Sequence, residues 1–307
     1  MREPSGGKRR RWVARSRARA VTVLLLVLVA ALALGLVLGY SPHRRTSAQV
    51  PLGLGVGGYA HSGPGGYSTQ ETEALSKPLP AASVGVHVPV LMYHYVDAEP
   101  PPAGPYADGL TVRTPDFIQE MEYLADHGYH TVTLADTYLA MAGLRTLPQK
   151  SVALTFDDGG LDNYEVAFPI LVEHGLSATF FVITKTVGAP GQMTWDQLRE
   201  MAAAGMSIQS HTVSHPDLPS ASDSRLRSEL VDSREAIRQA LDRPVYALAY
   251  PAGSYDQRVI QAAKAAGYVM AVSTSKGAGL GPKALFEITR RRVQAFLPLG
   301  SFTKLLD

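Results

Sequence analysis

The sequence predicts an α/β protein, a distorted (β/α) barrel of about seven parallel strands that is preceded by one transmembrane helix and a flexible linker. Three observations predict it. Short apolar runs alternate with segments of helix length throughout residues 86–307. Residues 21–40 are an uncharged apolar run that is long enough to span a bilayer. Residues 41–85 are rich in glycine, proline and serine, a composition typical of flexible tethers.

The amino-terminal segment carries most of the positive charge. Ten of the 29 Lys and Arg residues, and one of the 27 acidic residues, lie within positions 1–45. By the positive-inside rule we expect residues 1–20 to form a cytoplasmic tail, residues 21–40 to anchor the protein in the cell membrane as a single pass, and residues 86–307 to fold outside the cytoplasm. The long apolar run and a poor cleavage site favour an uncleaved anchor; if it is cleaved, the domain is secreted.

The rest of the chain has a different balance of charges. Its 19 basic and 26 acidic residues argue against a nucleic-acid partner, whose phosphates require clustered Lys and Arg. The chain has no cysteine, which excludes disulfides and thiolate ligands. With 46% hydrophobic residues it can bury a large core, and we expect a monomer.

Strands and helices are predicted alternately along the domain, and helices of this length between strands give a parallel sheet. Helix starts are predicted by N-capping residues such as the Thr-Pro-Asp at 114–116, and helix ends by glycines such as Gly175. The predicted strands are 88–93, 131–134, 151–156, 178–183, 207–210, 245–250, 268–273 and 288–293. The predicted helices are 114–128, one from Asp136, 163–174, 194–205, 223–242 and 256–266.

Chemistry is expected at the carboxyl ends of the strands, where parallel barrels carry their sites. The apolar run 151–156 ends in Asp157 and Asp158, and other strands end at His94, at His211 and at the turn 251–253. Two adjacent carboxylates repel each other unless a cation or an arginine keeps both ionised. The aspartate pair therefore predicts a metal ion or a catalytic base.

His211 and His215 lie four residues apart just after a strand. Two histidines at this spacing are by themselves more typical of a surface or of packing than of metal binding. With a carboxylate from another strand end they would form a metal site that keeps positions open for water, as catalytic zinc sites do. Such ligands fit a divalent metal ion, zinc in the first place, but also cobalt, nickel or iron.

Three segments carry a resemblance to a known family: 155–159 (TFDDG), 211–215 (HTVSH) and 249–253 (AYPAG). They are similar to the first three motifs of the polysaccharide deacetylases, the NodB-homology or family-four carbohydrate esterases. The resemblance covers residues 86–293. It implies that Asp157 is the general base and that Asp158, His211 and His215 bind the metal.

The resemblance also gives a role to the turn 250–253. It implies that the backbone N–H of Ala252 stabilises the oxyanion and that Tyr250 and Pro251 contact the substrate, although an ordinary Pro-Gly bend remains possible. Ala252 stands where an aromatic residue is common in the family, and Gly160 where tyrosine is frequent. Contacts to sugar rings are therefore expected to be reduced.

The general acid is expected at an unusual place. No histidine follows His215, so the late Leu-x-x-His motif of most family members is missing, but Leu91 to His94 reproduces it at the other end of the domain. This resembles the circularly permuted poly-N-acetylglucosamine deacetylases, and it implies that His94 is the acid and that Leu91 lines the acetyl pocket. A buried histidine with a structural hydrogen bond is the alternative.

Arg290 lies in the last predicted strand, within the run Arg290–Arg292. The family pairs an arginine with the catalytic base, and Arg290 is the candidate for this position. A solvated charged strand is the alternative interpretation.

The sequence thus predicts a metal-dependent hydrolase of carbon–nitrogen bonds that removes N-acetyl groups from an N-acetylated polysaccharide outside the cytoplasm. Two other functions remain open: an amidase for small molecules, and a non-catalytic barrel that binds glycans. A glycosidase is disfavoured, because its two carboxylates must flank the bond from separate positions.

Overall fold

The computed structural model describes residues 66–98, 107–274 and 279–307 of the 307. All of them belong to the unit that begins at Gly55. The predicted basic tail (1–20), the predicted transmembrane segment (21–40) and the first part of the predicted linker (41–65) lie outside the described residues. Within the described ranges, no helix has the length and apolar character needed to cross a bilayer.

The described residues form ten strands and nine α-helices, joined by short turns. The strands are β1 (Val90–Tyr93), β2 (Tyr95–Asp97), β3 (Thr111–Arg113), β4 (His130–Thr131), β5 (Ser151–Phe156), β6 (Thr179–Val182), β7 (Ser207–Ser210), β8 (Ala247–Ala249), β9 (Met270–Val272) and β10 (Arg291–Arg292). The helices are α1 (Thr69–Ala74), α2 (Ala107–Leu110), α3 (Thr114–Asp126), α4 (Leu134–Met141), α5 (Phe168–Glu173), α6 (Trp195–Ala203), α7 (Asp223–Leu241), α8 (Gln257–Ala265) and α9 (Leu299–Phe302).

Eight strands form one parallel sheet: seven follow the order β10-β1-β5-β6-β7-β8-β9, and β4 pairs with the beginning of β5 beside this path. The two edges of this sheet meet through residues 288–293. The N–H of Ser273 donates to the carbonyl of Ile288 (2.8 Å), while the N–H of Val293 donates to that of Met92 (3.0 Å). The predicted parallel α/β fold is therefore confirmed, and its first and last strands are neighbours.

Side chains of the sheet alternate between two cores, as the period of two in a strand requires. One core lies against the inner, concave face of the sheet and contains Val90, Ala153, Phe181, Ala249 and Val272. The other lies between the sheet and the surrounding helices and contains Leu91, Leu154, Phe180, Leu248 and Phe117. Because odd-numbered residues of β5 face the interior, Asp157 continues the inner row beyond the end of the strand.

The last part of the predicted linker, residues 66–85, has fixed contacts in the structure rather than the extended freedom of a tether. It contains α1, and Leu75 is buried against the interior core together with residues of α4. Arg145 forms ion pairs with Glu71 of α1 and Asp136 of α4. These contacts follow from the capping box at Ser68 and the apolar Leu75, which the Gly- and Pro-rich composition of the segment obscures.

Several element boundaries differ from the sequence prediction; the strand predicted at 288–293, for example, is reduced to Arg291–Arg292. The strand predicted at 131–134 ends at Thr131, because Thr133 caps α4 through a reciprocal capping box with Asp136. The helix predicted at 163–174 begins instead with a π-helical segment, Asn163–Ala167, before α5. The short parallel pair β2–β3, which flanks the Pro-rich loop, was not predicted.

Candidate active site

Asp157 follows β5 at the carboxyl edge of the sheet and is 2% exposed. Both of its oxygens accept hydrogen bonds from Arg290: Nη1 donates to Oδ1 and Nη2 to Oδ2, each at 2.7 Å. Burial alone would raise the pKa of Asp157, but the guanidinium of Arg290 and the nearby histidines hold that pKa well below its usual range. The carboxylate is therefore ionised and available as a base at neutral pH.

The side chain of Arg290 is also held by contacts other than those with Asp157. Its Nε donates to the carbonyl of Ser273 (2.9 Å), and Nη1 also donates to Oγ1 of Thr155 (3.1 Å). The guanidinium lies 5.7 Å from the centre of the Phe181 ring. A planar fork held in this way presents two parallel N–H groups to a carboxylate with little loss of side-chain entropy.

Asp158, His211 and His215 form a group whose ligand atoms all lie within 4.8 Å of one another. Nε2 of His211 is 3.6 Å from Oδ1 of Asp158. One carboxylate and two imidazoles are a donor set that suits zinc and related transition metals, and three protein ligands leave room for water. Asp158 has a positive φ of 72°, which breaks the alternation of the strand and brings its carboxylate to the same edge as that of Asp157.

Hydrogen bonds orient two of these three side chains. Nδ1 of His211 is 2.8 Å from the carbonyl of Ala249, so this nitrogen carries the proton and Nε2 is the free ligand atom. The hydroxyl of Tyr95 donates to Oδ2 of Asp158 at 2.9 Å, which leaves Oδ1 facing His211. The pKa of His215 is lowered, first by partial desolvation and then by His211, which favours the neutral imidazole that metal binding requires.

The loop that carries the two histidines is held by Glu229 of α7. Its Oε2 accepts hydrogen bonds from the N–H groups of Val213 (3.0 Å) and Ser214 (2.8 Å), and its Oε1 accepts one from the hydroxyl of Ser214. Glu229 is buried, so these charge-assisted bonds are shielded from water. The side chain therefore fixes the backbone between His211 and His215.

Backbone strain concentrates at this edge of the sheet. Four non-glycine residues here have positive φ: Asp158 (72°), Thr212 (68°), His215 (54°) and Ala252 (52°). Each such conformation costs about 1–3 kcal/mol and persists only where the surrounding structure determines it. Clustered strain of this kind is typical of functional sites.

His94 follows β1 and faces Asp157, with Nε2 3.9 Å from Oδ2 of Asp157. Its carbonyl accepts a hydrogen bond from Nδ2 of Asn163 (2.8 Å), so the backbone here is tied to the segment that follows the two aspartates. Burial lowers the pKa of His94, although the neighbouring carboxylates oppose this. An imidazole beside the base is in position to exchange a proton with a reacting group.

Comparison with known proteins decides which family this arrangement belongs to. A family model described as "Polysaccharide deacetylase" matches residues 144–271. The "Putative polysaccharide deacetylase YxkH" of Bacillus subtilis (strain 168) is 34% identical over 215 residues, which cover 70% of this chain and 74% of that protein. This chain belongs to the polysaccharide deacetylase family. The assignment makes this chain a hydrolase that acts on carbon–nitrogen bonds.

Two further relatives agree with this assignment. The solved structure of the Streptococcus pyogenes deacetylase PplD in complex with acetate superposes with a TM-score of 0.66 and 32% identity, covering 73% of this chain and 99% of that one. The poly-β-1,6-N-acetyl-D-glucosamine N-deacetylase of Escherichia coli (strain K12) is 31% identical over 119 residues, which are 34% of this chain and 18% of that protein. The family model includes Asp157 and the three candidate metal ligands, whereas His94 and Arg290 lie outside it.

The turn Pro251–Gly253 lies at the carboxyl edge of the sheet, as the candidate metal ligands do. It follows Tyr250 and Ala249, whose carbonyl orients His211. Ala252 is exposed and has φ 52°. Gly253 has φ 71°, and a Cβ at this position would lie 2.7 Å from the backbone nitrogen of Thr274. Only glycine allows the backbone at position 253 to come this close to Thr274, so close backbone packing fixes the position of the turn.

The structure does not bring all predicted residues of the deacetylase site together. Leu91 is fully buried in the outer core, because residues three apart on a strand face opposite sides and His94 faces inward. Tyr250 is also fully buried there: its ring stacks on Tyr255 and its hydroxyl donates to the carbonyl of Phe286. Their predicted contacts with substrate are therefore not supported. Pro251 is buried within the turn itself.

Sequence reasoning missed three residues of this deacetylase site. Tyr95, Asn163 and Glu229 contact Asp158, His94 and the histidine loop respectively. Asn163 lies six residues after Asp157, so its nearness to the site could have been suspected. Glu229 has no local signal, because it is one of several acidic residues along an amphipathic helix.

Proposed function

We propose that the protein is a metal-dependent N-deacetylase that removes acetyl groups from an N-acetylated glycan outside the cytoplasm. The observation that carries the proposal is the position of a buried, arginine-bound carboxylate, Asp157, next to the group formed by Asp158, His211 and His215. A base beside a metal site with open positions suits hydrolysis of an amide by water.

Asp158, His211 and His215 are the residues that would hold the ion. Zinc is the first candidate, and cobalt, nickel and iron accept the same ligands. A divalent ion bound there would lower the pKa of a water molecule and polarise the acetamide carbonyl. The hydrogen bond from His211 to Ala249 and that from Tyr95 to Asp158 support this role, because both fix ligand atoms before any ion arrives.

The remaining steps belong to side chains of this chain. Asp157 accepts a proton from the attacking water, and Arg290 keeps it ionised until then. The water oxygen forms a bond to the acetyl carbon, and the N–H of Ala252 is the proposed donor to the oxygen that becomes negative. Asp157 passes the proton from the water to His94, whose Nε2 lies 3.9 Å from Oδ2 of Asp157, and the imidazolium that forms donates it to the departing nitrogen. The carbon–nitrogen bond breaks, and acetate and a protonated amino sugar result.

A polymeric substrate is favoured by the relatives that resemble this chain. The similar Escherichia coli protein is named for poly-β-1,6-N-acetyl-D-glucosamine, and the similar Streptococcus pyogenes deacetylase was solved with acetate, the expected product. We extend the substrate class to N-acetylglucosamine units of cell-wall or exopolysaccharide chains. Residues 21–40 are the proposed membrane anchor, with the deacetylase domain outside.

Acetate release tests the proposal directly. The purified protein is offered chitooligosaccharide, peptidoglycan and poly-N-acetylglucosamine, with and without chelator, and then with added zinc. We expect acetate from at least one glycan, loss of release with chelator, and recovery with zinc. The Asp157→Asn variant should bind the same glycan but release no acetate.

Three results would contradict parts of the proposal. Release of acetate that is insensitive to chelator would contradict the proposed metal dependence. Release from small acetamides alone would favour a small-molecule amidase. Glycan binding without acetate from any substrate would favour a non-catalytic binding barrel. For the location, protease added to intact cells should cleave the domain, and protection of the domain would place it in the cytoplasm.

A further inference from the structure

A cavity lies between α3 and the segment that follows β10. It has a volume of about 170 Å³, and its lining consists of Arg113 at the end of β3, Asp116, Gln119 and Glu120 of α3, and residues 296–299. Residues 294–299 continue directly from β10, beyond the point where Val293 bonds to Met92 of β1. The cavity is therefore at the carboxyl end of the sheet, as the candidate metal ligands are. We call it the Phe296 cavity.

Phe296 is an unusual residue to find at a surface. Its side chain is 58% exposed, and its backbone has a positive φ of 57°. Neither property adds to folding stability, because the strain costs energy and an exposed ring buries little apolar area. The guanidinium of Arg113 lies 5.0 Å from the ring centre and is itself paired with Asp116, so the ring is held in position. A fixed, exposed aromatic ring is a suitable platform for the apolar C–H face of a sugar.

Glu120 lines the same cavity and is 2% exposed. Its Oε2 accepts a hydrogen bond from Tyr93, the residue before His94, at 3.0 Å. Among the described residues its Oε1 has no hydrogen-bond partner, although it is buried. Because this atom has almost no accessible surface, Glu120 forms part of the wall of the cavity and does not itself contact a ligand there.

The charge of the cavity favours a neutral ligand. Burial raises the pKa of Glu120 to about 8, so this carboxyl is largely protonated at neutral pH and adds little negative charge to the wall. The positive charge of Arg113 is already matched by Asp116. The exposed amide of Gln119 provides a donor and an acceptor at the rim. An aromatic platform with a neutral amide beside it suits a sugar ring better than an ion.

We propose that the Phe296 cavity binds one sugar unit of the N-acetylated glycan, at a distance from the unit that reacts. Phe296 stacks against the ring, and the exposed amide of Gln119 forms a hydrogen bond with a hydroxyl or amide of the same unit. Glu120 bonds to Tyr93, whose side chain lies in the outer core, so this subsite is on the outer side of β1, at the end of the strand that His94 follows. This inference rests on the proposed function and adds a preference for longer chains.

The test uses N-acetylglucosamine oligomers from dimer to hexamer, in the β-1,4- and β-1,6-linked series. We expect kcat/KM of the wild-type protein for acetate release to rise with chain length. Phe296→Ala should remove most of this rise, with a loss of about tenfold on the hexamer and little change on the dimer, because one stacking contact is lost. Phe296→Trp should keep the rise, since it keeps an aromatic face.

The matched control is Val231→Ala, which shortens another exposed apolar side chain, on α7. It should follow the wild type at every length. An equal loss on dimer and hexamer for Phe296→Ala, or no loss on either, would overturn the subsite. If the wild-type protein releases no acetate from any oligomer, the proposed function fails, and calorimetry with the hexamer then tests the subsite by itself. Weaker hexamer binding by Phe296→Ala than by the wild type would support the subsite. Equal binding by the two proteins would overturn it.

Discussion

Tyr95 and Asp158 are joined by a hydrogen bond of 2.9 Å between the phenol and Oδ2 of the carboxylate. The ring of Tyr95 also lies against Gly160, where an added Cβ would be 3.2 Å from the ring and 2.3 Å from Oδ1 of Asp162. The family resemblance leads one to expect tyrosine at position 160. In this protein the ring of Tyr95, from another segment of the chain, covers position 160, and the absence of a side chain at Gly160 leaves space for that ring.

Tyr95→Phe should weaken metal binding while leaving the fold intact. The variant keeps the ring against Gly160 but removes the donor that fixes Oδ2 of Asp158, and loss of such a contact costs about 10- to 100-fold in metal affinity. Competition with a chromophoric zinc chelator measures the effect. Tyr164→Phe is the control, since its hydroxyl bonds to Glu200 on the surface. Equal zinc affinity in the wild type and Tyr95→Phe would show that Asp158 needs no such support.

The sequence was sufficient to predict the parts of the site that follow directly from strand ends. Asp157 and Asp158 end an apolar run at a glycine pair, and His211 and His215 follow another strand, so parallel topology alone brings them to one edge. Tyr95 could not be found in this way. It reaches Asp158 through β2, which pairs with β3 across the Pro-rich loop, and this long-range pairing has no signal in either segment.

The two substrate contacts that the structure does not support have a physical reason that the sequence already contained. Leu91 and His94 are three residues apart on one strand, and Tyr250 follows Ala249, whose side chain faces inward. The period of two places both on the outer face, where they pack against helices. Alternation along the strand therefore decides the orientation of both side chains, against what the motif resemblance implies.

Arg290→Gln should destabilise the protein, because Asp157 would remain as a buried carboxylate without a partner. Removal of one member of a buried ion pair costs about 3–5 kcal/mol in free energy of unfolding. Urea denaturation at neutral pH measures this loss, and Arg292→Gln, at an exposed residue of the same run, should change little. Adding Asp157→Asn to Arg290→Gln should recover part of the stability, since the unpaired charge is then gone. A double variant as unstable as the sum of the two single variants would exclude this ion pair as the cause.

Glu229→Gln should loosen the loop between His211 and His215. The charged acceptor of two backbone N–H groups and one hydroxyl is lost, so we expect a decrease of about 2 kcal/mol in free energy of unfolding and weaker zinc binding. Glu235→Gln on the same helix is the control, because Glu235 pairs with Arg238 at the surface, where such pairs contribute little. If both variants bind zinc as tightly as the wild type, the loop does not depend on Glu229.

Glu120→Gln should flatten the dependence of stability on pH. Glu120 has a pKa of about 8 in the folded protein, because of burial, and an ordinary value of 4.5. Between these two values the folded protein binds more protons than the unfolded chain, so the free energy of unfolding falls as the pH rises. The limit of this loss is about 5 kcal/mol, and we expect a fraction of it since water can reach the Phe296 cavity. Urea denaturation at pH 5 and pH 8 compares Glu120→Gln with Glu122→Gln, an exposed glutamate on the same helix. Wild type and Glu122→Gln should lose more stability over this range than Glu120→Gln, which keeps only the contribution of Asp162, a carboxyl whose pKa burial raises to about 6. Parallel losses in all three would mean that Glu120 does not bind the proton.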